Sequence, residues 1–213
     1  MQVIYKNLGE TPLQALERYR LEAGIKPDVP MTYAGRLDPM AEGDMIILVG
    51  EECKGKDKFL PMKKEYEVEF LLGIETDTYD LLGLFQNESE VTHFGIERGK
   101  FTQPYPPFSS KTFSGGKSET KEVEIYDHKI LEKRTIAKEE LHNQIKTRIA
   151  LVKGEFRQKE ILAAWEAYFA QTKKTEYRLI KAWIFASSGT YMRSIAHRNH
   201  SLAYSIKRTS IKV

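Results

Sequence analysis

The chain of 213 residues has a single cysteine, Cys53, and no long apolar run. One cysteine excludes an intramolecular disulfide and a cysteine-rich zinc site, and it is typical of a protein from a reducing compartment. No stretch approaches the roughly 18 apolar residues that a membrane-spanning helix needs, and no charged-then-apolar signal pattern opens the sequence. We therefore expect a cytoplasmic protein that has no contact with a membrane.

The common metal and cofactor motifs are also missing from the sequence. There is no Gly-Lys-Ser/Thr phosphate loop and no cluster of Cys and His at ligand spacing. Asp77 and Asp80 lack the spacing of an EF-hand, so we interpret them as residues that stabilise a turn. His197 and His200 have no evident third ligand or carboxylate partner, which predicts ordinary surface histidines. We predict no metal and no cofactor.

Charge is distributed unevenly along the chain, although the net charge is only +3 and the apolar and charged contents of 41% and 30% are ordinary. Residues 1–130 contain 16 Lys and Arg against 23 Asp and Glu, whereas residues 131–213 contain 17 against 7. A basic half favours a polyanionic partner that contacts this part of the chain. The alternative is that these charges belong to ordinary solvated helix faces.

Several stretches have clear secondary-structure signals. Thr11-Pro12 has the form of a helix N-cap followed by proline at the first helical position, and Gly24 is a suitable C-terminal stop. Residues 66–70, Tyr-Glu-Val-Glu-Phe, alternate as a strand with one wet face does, and residues 177–185 also predict a strand. Two later runs have helical spacing, the first with Thr135 as its N-cap. Their apolar residues are Leu141, Ile145, Ile149 and Val152 in the first run, and Ile161, Leu162, Trp165, Tyr168 and Phe169 in the second.

A constrained loop precedes an apolar strand in residues 33–50. Gly35 and the pair Asp38-Pro39 are residues that favour turns. Residues 45–49, Met-Ile-Ile-Leu-Val, predict a buried strand that stops at Gly50. The Asp38 carboxylate is thus held close to the core, as a reactive group must be. Taken alone, an Asp-Pro in a loop is more often a local turn or cap.

The string around Asp38 resembles a known family. Residues 35–43, Gly-Arg-Leu-Asp-Pro-Met-Ala-Glu-Gly, followed by residues 49–54, Val-Gly-Glu-Glu-Cys-Lys, resemble the catalytic loop of the TruB-type pseudouridine synthases. The opening of the chain is a partial match to the start of the family, with Lys6, Gly9 and Thr11 kept. The resemblance implies that Asp38 is the catalytic carboxylate.

Further family motifs follow in order: residues 64–66 with 72–80, residues 103–111 with 114–117, and residues 187–196. The 103–117 segment predicts a rigid proline stretch, a strand and a tight hairpin turn. The resemblance implies that Tyr66 packs against the target uracil, that Arg193 forms an ion pair with Asp38, and that Ile206 lines the base pocket. It also places Lys64 and Tyr191 among the residues that bind the substrate.

The chain departs from the family in three places. Tyr33 replaces a common histidine before the glycine of the catalytic loop, and we expect it to stack on the displaced base or a neighbouring one. The element after Lys117 that embraces the RNA stem looks shortened, because the chain passes directly to a strand-like segment. A helical insertion occupies about residues 131–175. We hypothesise that this insertion is a basic hairpin lying along RNA, the alternative being a packed helix pair with ordinary charged faces. Its basic residues are Lys146, Arg148, Lys153, Arg157, Lys159, Lys173 and Lys174.

The resemblance implies an α+β fold, the pseudouridine synthase fold, with a largely antiparallel mixed central sheet flanked by helices and a cleft along one face. We expect one catalytic domain over residues 1–213 with no C-terminal PUA domain. The implied function is isomerisation of a uridine to pseudouridine in the T arm of transfer RNA after base flipping, by a monomer with no obligate protein partner. Two alternatives stay open: a synthase acting on a different RNA stem-loop, and a non-catalytic RNA-binding or RNA-folding module.

Overall fold

The computed structural model describes residues 1–109 and 120–212, which form a mixed structure around one large sheet. The strands are β1 (Gln2–Lys6), β2 (Met31–Ala34), β3 (Ala41–Val49), β4 (Lys63–Leu72), β5 (Ile74–Thr76), β6 (Phe85–Glu88), β7 (Gly99–Pro104), β8 (Thr120–Ala137), β9 (Glu176–Ala186) and β10 (Ser201–Lys212). The helices are α1 (Pro12–Glu22), α2 (Lys138–Ala150), α3 (Gln158–Gln171) and α4 (Met192–Arg198), together with a 3-10 helix (Gly50–Lys58).

The main sheet has the order β1-β3-β10-β4-β9-β8-β7, and β2 is paired with β3 in addition. Among the described strands, β3 and β10 run parallel while the other pairs are antiparallel. Strands β5 and β6 form a separate small hairpin. The predicted fold class, an α+β structure with a largely antiparallel mixed sheet, is confirmed.

Strand β4 shows the predicted alternation. Tyr66, Val68 and Phe70 are buried, whereas the intervening glutamates are only half-buried. The buried side chains share a core with Met192 and Ile195 of α4, so this helix covers the same face of the sheet. The face of the sheet that carries Tyr66 is therefore the face on which the chain returns with Arg193.

Helix α1 begins and ends where the sequence predicts. Thr11 is the N-cap, its hydroxyl accepts from the backbone N–H of Gln14, and Pro12 is the first helical residue. The Gln14 side chain accepts in return from the Thr11 N–H, which completes a capping box. Gly24 follows the C-cap with φ +63°, a conformation that favours glycine.

The predicted helical insertion at about 131–175 is partly wrong at its start. Thr135 does not cap a helix; it lies in β8, paired with Arg178 of β9, and α2 begins only at Lys138. Two helices do follow, and the predicted apolar residues of both runs are buried, apart from the partly buried Leu162. The pair packs against Leu71 and Leu179, which point to the side of the sheet opposite Phe70.

The predicted hairpin turn at residues 114–117, together with Lys111, lies outside the described residues. Across residues 1–109 and 120–212, none of the helices has the length and apolar character needed to cross a membrane.

Candidate active site

The loop that carries Asp38 connects β2 to β3 and is fixed by hydrogen bonds to distant parts of the chain. The buried Arg208 of β10 donates from Nη2 to the Gly35 carbonyl oxygen at 2.9 Å, and the N–H of Gly9 donates to the Pro39 carbonyl at 2.9 Å. Gly35 itself has φ +74°, which an L side chain rarely adopts. The loop is therefore held from both sides of the aspartate.

Asp38 and Arg193 meet although they are 155 positions apart in the sequence. Arg193 donates from Nε to Oδ2 of Asp38 at 2.8 Å, and its Nη1 donates to the carbonyl oxygens of Thr78 at 2.8 Å and Pro107 at 3.1 Å. The Arg193 side chain is 3% exposed, whereas that of Asp38 is 33% exposed. The guanidinium is sealed beneath the site, while the carboxylate remains accessible from outside.

A second carboxylate, Asp80, lies 3.7 Å from Nε of Arg193 and is buried. Its Oδ1 accepts from the Thr78 hydroxyl and from the Leu82 N–H, so the predicted role in a turn describes these bonds correctly. Burial raises the pKa of Asp80, Arg193 opposes this, and the nearby Asp38 adds to it. Burial disfavours the charge on Arg193, but the two carboxylates outweigh burial and raise its pKa. The sequence interpretation missed the contact of Asp80 with Arg193, although Asp80 ends the second family motif.

An open cavity of about 670 Å³ lies over the Asp38 carboxylate. Of the residues predicted to bind the substrate, it is lined by Lys64, Tyr66, Tyr191 and Ile206. Tyr33 is not among the lining residues; its ring packs beside the cluster around Ala15 and Leu16 of α1. The structure thus brings four of the predicted binding residues together with Asp38, with Arg193 directly beneath, and leaves Tyr33 apart from them.

Tyr66 and Ile206 form the buried part of the cavity wall on adjacent strands. Ile206 of β10 is paired with Val68 of β4, two residues from Tyr66, so the two side chains lie on one face of the sheet. Both are almost fully buried and share a core with Leu37 of the loop that carries Asp38. A flat aromatic ring and an aliphatic side chain beside a carboxylate can enclose a planar base.

Tyr191 is clamped by a residue that the sequence analysis did not single out. The buried Gln103 accepts from the Tyr191 N–H at 2.8 Å and donates to its carbonyl oxygen at 3.0 Å. The Tyr191 ring also packs edge to face with Tyr105, with centroids 5.7 Å apart. Burial raises the pKa of Tyr191, and the Asp38 carboxylate adds to this shift. The only signal in the sequence is that Gln103 precedes the proline segment of a family motif.

Lys64 is a buried lysine at the cavity wall. Its Nζ donates to the carbonyl of Leu60 at 3.2 Å and to the Ser188 hydroxyl at 3.3 Å. Burial lowers the pKa of Lys64 to about 8, and the positive charges of Arg208 and Lys121 lower it further. An anion entering the cavity would find three cationic side chains in this corner.

The prediction that His197 and His200 lack a carboxylate partner is wrong. His200 Nδ1 lies 3.1 Å from Oε1 of Glu75, and His197 Nδ1 lies 3.7 Å from Oε2 of the same residue. The His197 ring is stacked on Tyr79 with centroids 3.9 Å apart. Within the described ranges, no three His, Cys, Asp or Glu side chains are placed to hold a metal ion together.

The fold occurs in solved structures of ribonucleoprotein components. A chain of the crystal structure of a Cbf5-Nop10-Gar1 complex superposes on 98% of this chain with a TM-score of 0.57 and 15% identity, using 48% of its own length. A chain of an H/ACA RNP bound to a substrate RNA containing 2'-deoxyuridine matches 98% of this chain with a TM-score of 0.54 and 14% identity, over 47% of that chain. The chain therefore has the fold of the matched parts of these two chains.

The family follows from the sequence. The model described as TruB family pseudouridylate synthase (N terminal domain) matches residues 29–157, more than half of the chain, and the chain therefore belongs to this family. The matched range includes Asp38 and Tyr66, whereas Arg193 and Ile206 lie beyond it.

Relatives with curated names extend the match. A protein of Protochlamydia amoebophila (strain UWE25) named tRNA pseudouridine synthase B is 28% identical over 92% of this chain and 65% of its own length. The protein of the same name from Chlamydia pneumoniae is 26% identical over 92% of this chain and 72% of its own length. One from Clostridium perfringens (strain 13 / Type A) is 37% identical over 42% of this chain and 30% of its own length. The chain thus spans about two thirds of the relatives that it matches along most of its length.

Proposed function

We propose that this protein is an RNA pseudouridine synthase in which Asp38 is the catalytic residue. The single observation that carries the proposal is the Asp38–Arg193 pair at 2.8 Å, with the carboxylate open to a cavity walled by Tyr66 and Ile206. The Asp38 carboxylate is fixed on one side by Arg193, while its exposed side can be reached by a substrate. A protein that only bound RNA would have no use for such a pair.

The reaction breaks the bond between the ribose C1′ and N1 of uracil and forms a bond from C1′ to C5, and the proton on C5 is exchanged for one on N1. The target base must leave its stack and enter the cavity, as for other enzymes that act on nucleobases. Asp38 either adds to the nucleotide or removes a ribose proton, and in both routes it must be ionised. Tyr66 would stack on the uracil while Ile206 excludes water from it.

The proposed substrate is a uridine in the T arm of transfer RNA. The relatives named tRNA pseudouridine synthase B support this choice. A cytoplasmic location and action as a monomer belong to the same proposal. Another RNA stem-loop remains the second candidate substrate, because the residues after β7 and the helices α2 and α3 differ from the family pattern.

The test compares the protein with its Asp38→Asn variant on unmodified transfer RNA, on a T-arm stem-loop and on an unrelated stem-loop. We expect pseudouridine with the first two RNAs, and a loss of at least about a thousandfold in rate for Asp38→Asn, as when a catalytic group is removed. The exposed Asp28→Asn is the matched control and should keep the full rate. Pseudouridine formed by Asp38→Asn would refute the role of this residue. Binding without product by every form would favour the RNA-binding module.

A further inference from the structure

The connection between α2 and α3, residues 151–157, reaches the candidate active site from the helical side of the molecule. Phe156 is one of the residues that line the cavity over Asp38. The N–H of Lys153 donates to the Gly9 carbonyl at 3.3 Å, and a Cβ on Gly9 would lie only 2.2 Å from the Leu151 carbonyl oxygen. Gly9 in turn donates to the carbonyl of Pro39, the residue after Asp38. The connection is thus packed against the loop that positions the catalytic carboxylate.

Arg157, the last residue of this connection, contacts two other segments at the site. Its Nη1 lies 2.8 Å from Oδ2 of Asp77, and its guanidinium carbon lies 4.5 Å from the centroid of the Phe108 ring. Asp77 directly precedes Thr78, and Phe108 directly follows Pro107. The carbonyl oxygens of Thr78 and Pro107 are the two that accept from Nη1 of Arg193.

Each of these three segments has a residue with positive φ at or near the point of contact. Arg157 has φ +61° and Phe108 has φ +56°, while Tyr79, the residue after Thr78, has φ +65°. Such conformations cost free energy for residues other than glycine and persist only where neighbouring contacts impose them. Arg157 supplies two such contacts, its ion pair with Asp77 and its stacking on Phe108. Together they join to one side chain the two segments whose carbonyls accept from Arg193.

We propose that Arg157 is a positioning residue: by joining Asp77 to Phe108 it fixes the two carbonyls that orient Arg193, and through Arg193 it fixes the Asp38 carboxylate. The helical insertion is then a structural part of the active site, in addition to any contact that it makes with RNA. The catalytic readout of this proposal rests on the proposed synthase activity. If Arg157 instead contacted an RNA phosphate, its removal would lower RNA affinity and leave the rate at saturating RNA unchanged.

The kinetic test measures single-turnover rate at saturating RNA for Arg157→Ala, Asp77→Asn and the double variant. A displaced catalytic group lowers the rate steeply, so we expect about a tenfold loss in each single variant, with unchanged RNA affinity. The double variant should be no slower than Arg157→Ala alone, because the loss of Arg157 already breaks its contact with Asp77. Arg157→Lys keeps the charge but not the flat stacking surface, and should recover part of the rate.

Arg134 supplies a matched control. Its Nη2 lies 2.9 Å from Oε1 of Glu69, with exposures of 32% and 17%, nearly the same as the 33% and 17% of the Arg157–Asp77 pair. Arg134→Ala removes an equivalent ion pair that does not contact the Arg193 carbonyls, so the rate should stay unchanged. An equal loss of rate in Arg134→Ala and Arg157→Ala would reduce Arg157 to a general stabilising residue and overturn the proposal.

A second measurement does not depend on activity. The Nε–H of Arg193 bonds to Asp38, and its proton–nitrogen NMR signal can be assigned by its loss in Arg193→Lys. We expect Arg157→Ala to shift this signal and speed its exchange with water, while Arg134→Ala leaves it in place. An unmoved signal, or a fall in RNA affinity at constant rate, would contradict the positioning role. If the unaltered protein forms no pseudouridine, the proposed function fails, and the Nε–H signal alone decides the role of Arg157.

Discussion

The Arg193 guanidinium faces two carboxylates of unequal exposure, and this inequality separates their roles. Asp80 is buried, receives a hydroxyl and an N–H, and has a pKa that burial raises. Asp38 makes the shorter contact with Arg193 and keeps a third of its side chain open to the cavity. A buried carboxylate whose Oδ1 already accepts two hydrogen bonds from the protein is out of reach of a substrate. Of the two, Asp38 is therefore the group that can react, and Asp80 helps to hold the guanidinium.

Lys64 predicts a pH-dependent affinity for RNA. Burial lowers its pKa to about 8, so its charge is lost as the pH rises through this value. At pH 9 about one Lys64 side chain in ten is protonated, since each pH unit above the pKa changes the ratio tenfold. If Lys64 holds a phosphate, RNA affinity measured by fluorescence anisotropy should fall several-fold between pH 7 and pH 9. Lys64→Arg should abolish this fall, whereas Lys63→Arg on the exposed neighbour should not.

The lowered pKa of Lys64 also makes the free energy of unfolding depend on pH. The pKa of Lys64 in the folded chain, about 8, is below the ordinary lysine value of 10.5, so the unfolded chain binds more protons between these values. The free energy of unfolding should therefore rise with pH across this window. Lys6, whose pKa burial also lowers to about 8, contributes in the same direction. A pH profile of RNA affinity that is identical in Lys64→Arg would refute the phosphate contact while leaving this stability effect intact.

At the scale of elements, the sequence predicts what depends on local pattern. Helix α1 and strand β4 follow from a capping sequence and an alternation of period two, and both are confirmed. The start of α2 was predicted wrongly because Thr135 can cap a helix, yet pairing with Arg178 of β9 extends the strand past it. Tertiary pairing here overrides a local preference.

In the candidate site, too, some residues could be predicted from local sequence and others could not. Asp38, Tyr66 and Arg193 could be predicted because each lies in a motif that resembles the family. The contacts of Gln103 with Tyr191 and of Arg157 with Asp77 could not, because they join residues 88 and 80 positions apart and depend on the path of the chain. No local pattern marks such pairs, and only the folded path of the chain brings them together.

The parallel contact between β3 and β10 depends on a glycine. Gly43 has φ +113°, and a Cβ there would lie 2.1 Å from the Arg208 carbonyl oxygen. Gly43→Ala should therefore lower the free energy of unfolding by more than about 2 kcal/mol, because strain adds to a clash with backbone. Gly24→Ala, at φ +63° with nothing within 4 Å of the added Cβ, should cost only about 1 kcal/mol. Urea denaturation of both variants tests this difference, and equal losses would contradict it.

At the scale of the whole molecule, part of the charge asymmetry serves folding. Basic residues of the second half form ion pairs with acidic residues of the first half, so the two halves neutralise each other where they meet. These pairs include Arg134–Glu69, Arg157–Asp77, Lys174–Glu88, Lys181–Glu67, Arg193–Asp38, Arg193–Asp80, Arg198–Glu97 and Lys212–Glu65. Charge counted along the sequence therefore overstates the positive surface that remains for RNA.

The hypothesis of a basic hairpin lying along RNA now depends on exposed lysines in the α2–α3 connection and in α3. Lys153 and Lys159 are exposed and form no ion pair within the described residues, whereas Arg157 between them is engaged with Asp77. Of these three residues, the two lysines are the ones free to neutralise phosphates. Each phosphate contact releases about one counterion, so Lys153→Ala with Lys159→Ala should lower the slope of log affinity against log salt by up to about two.

The control for this salt experiment removes two exposed lysines from the acidic first half, Lys26→Ala with Lys58→Ala, which equalises the change in net charge. A general loss of positive charge would reduce the salt slope in both double variants, whereas a hairpin lying along RNA reduces it only in the first. An unchanged slope after Lys153→Ala with Lys159→Ala would refute phosphate contacts by these two lysines. The proposed role of the connection would then be that of Arg157, which holds the segments around the Asp38–Arg193 pair.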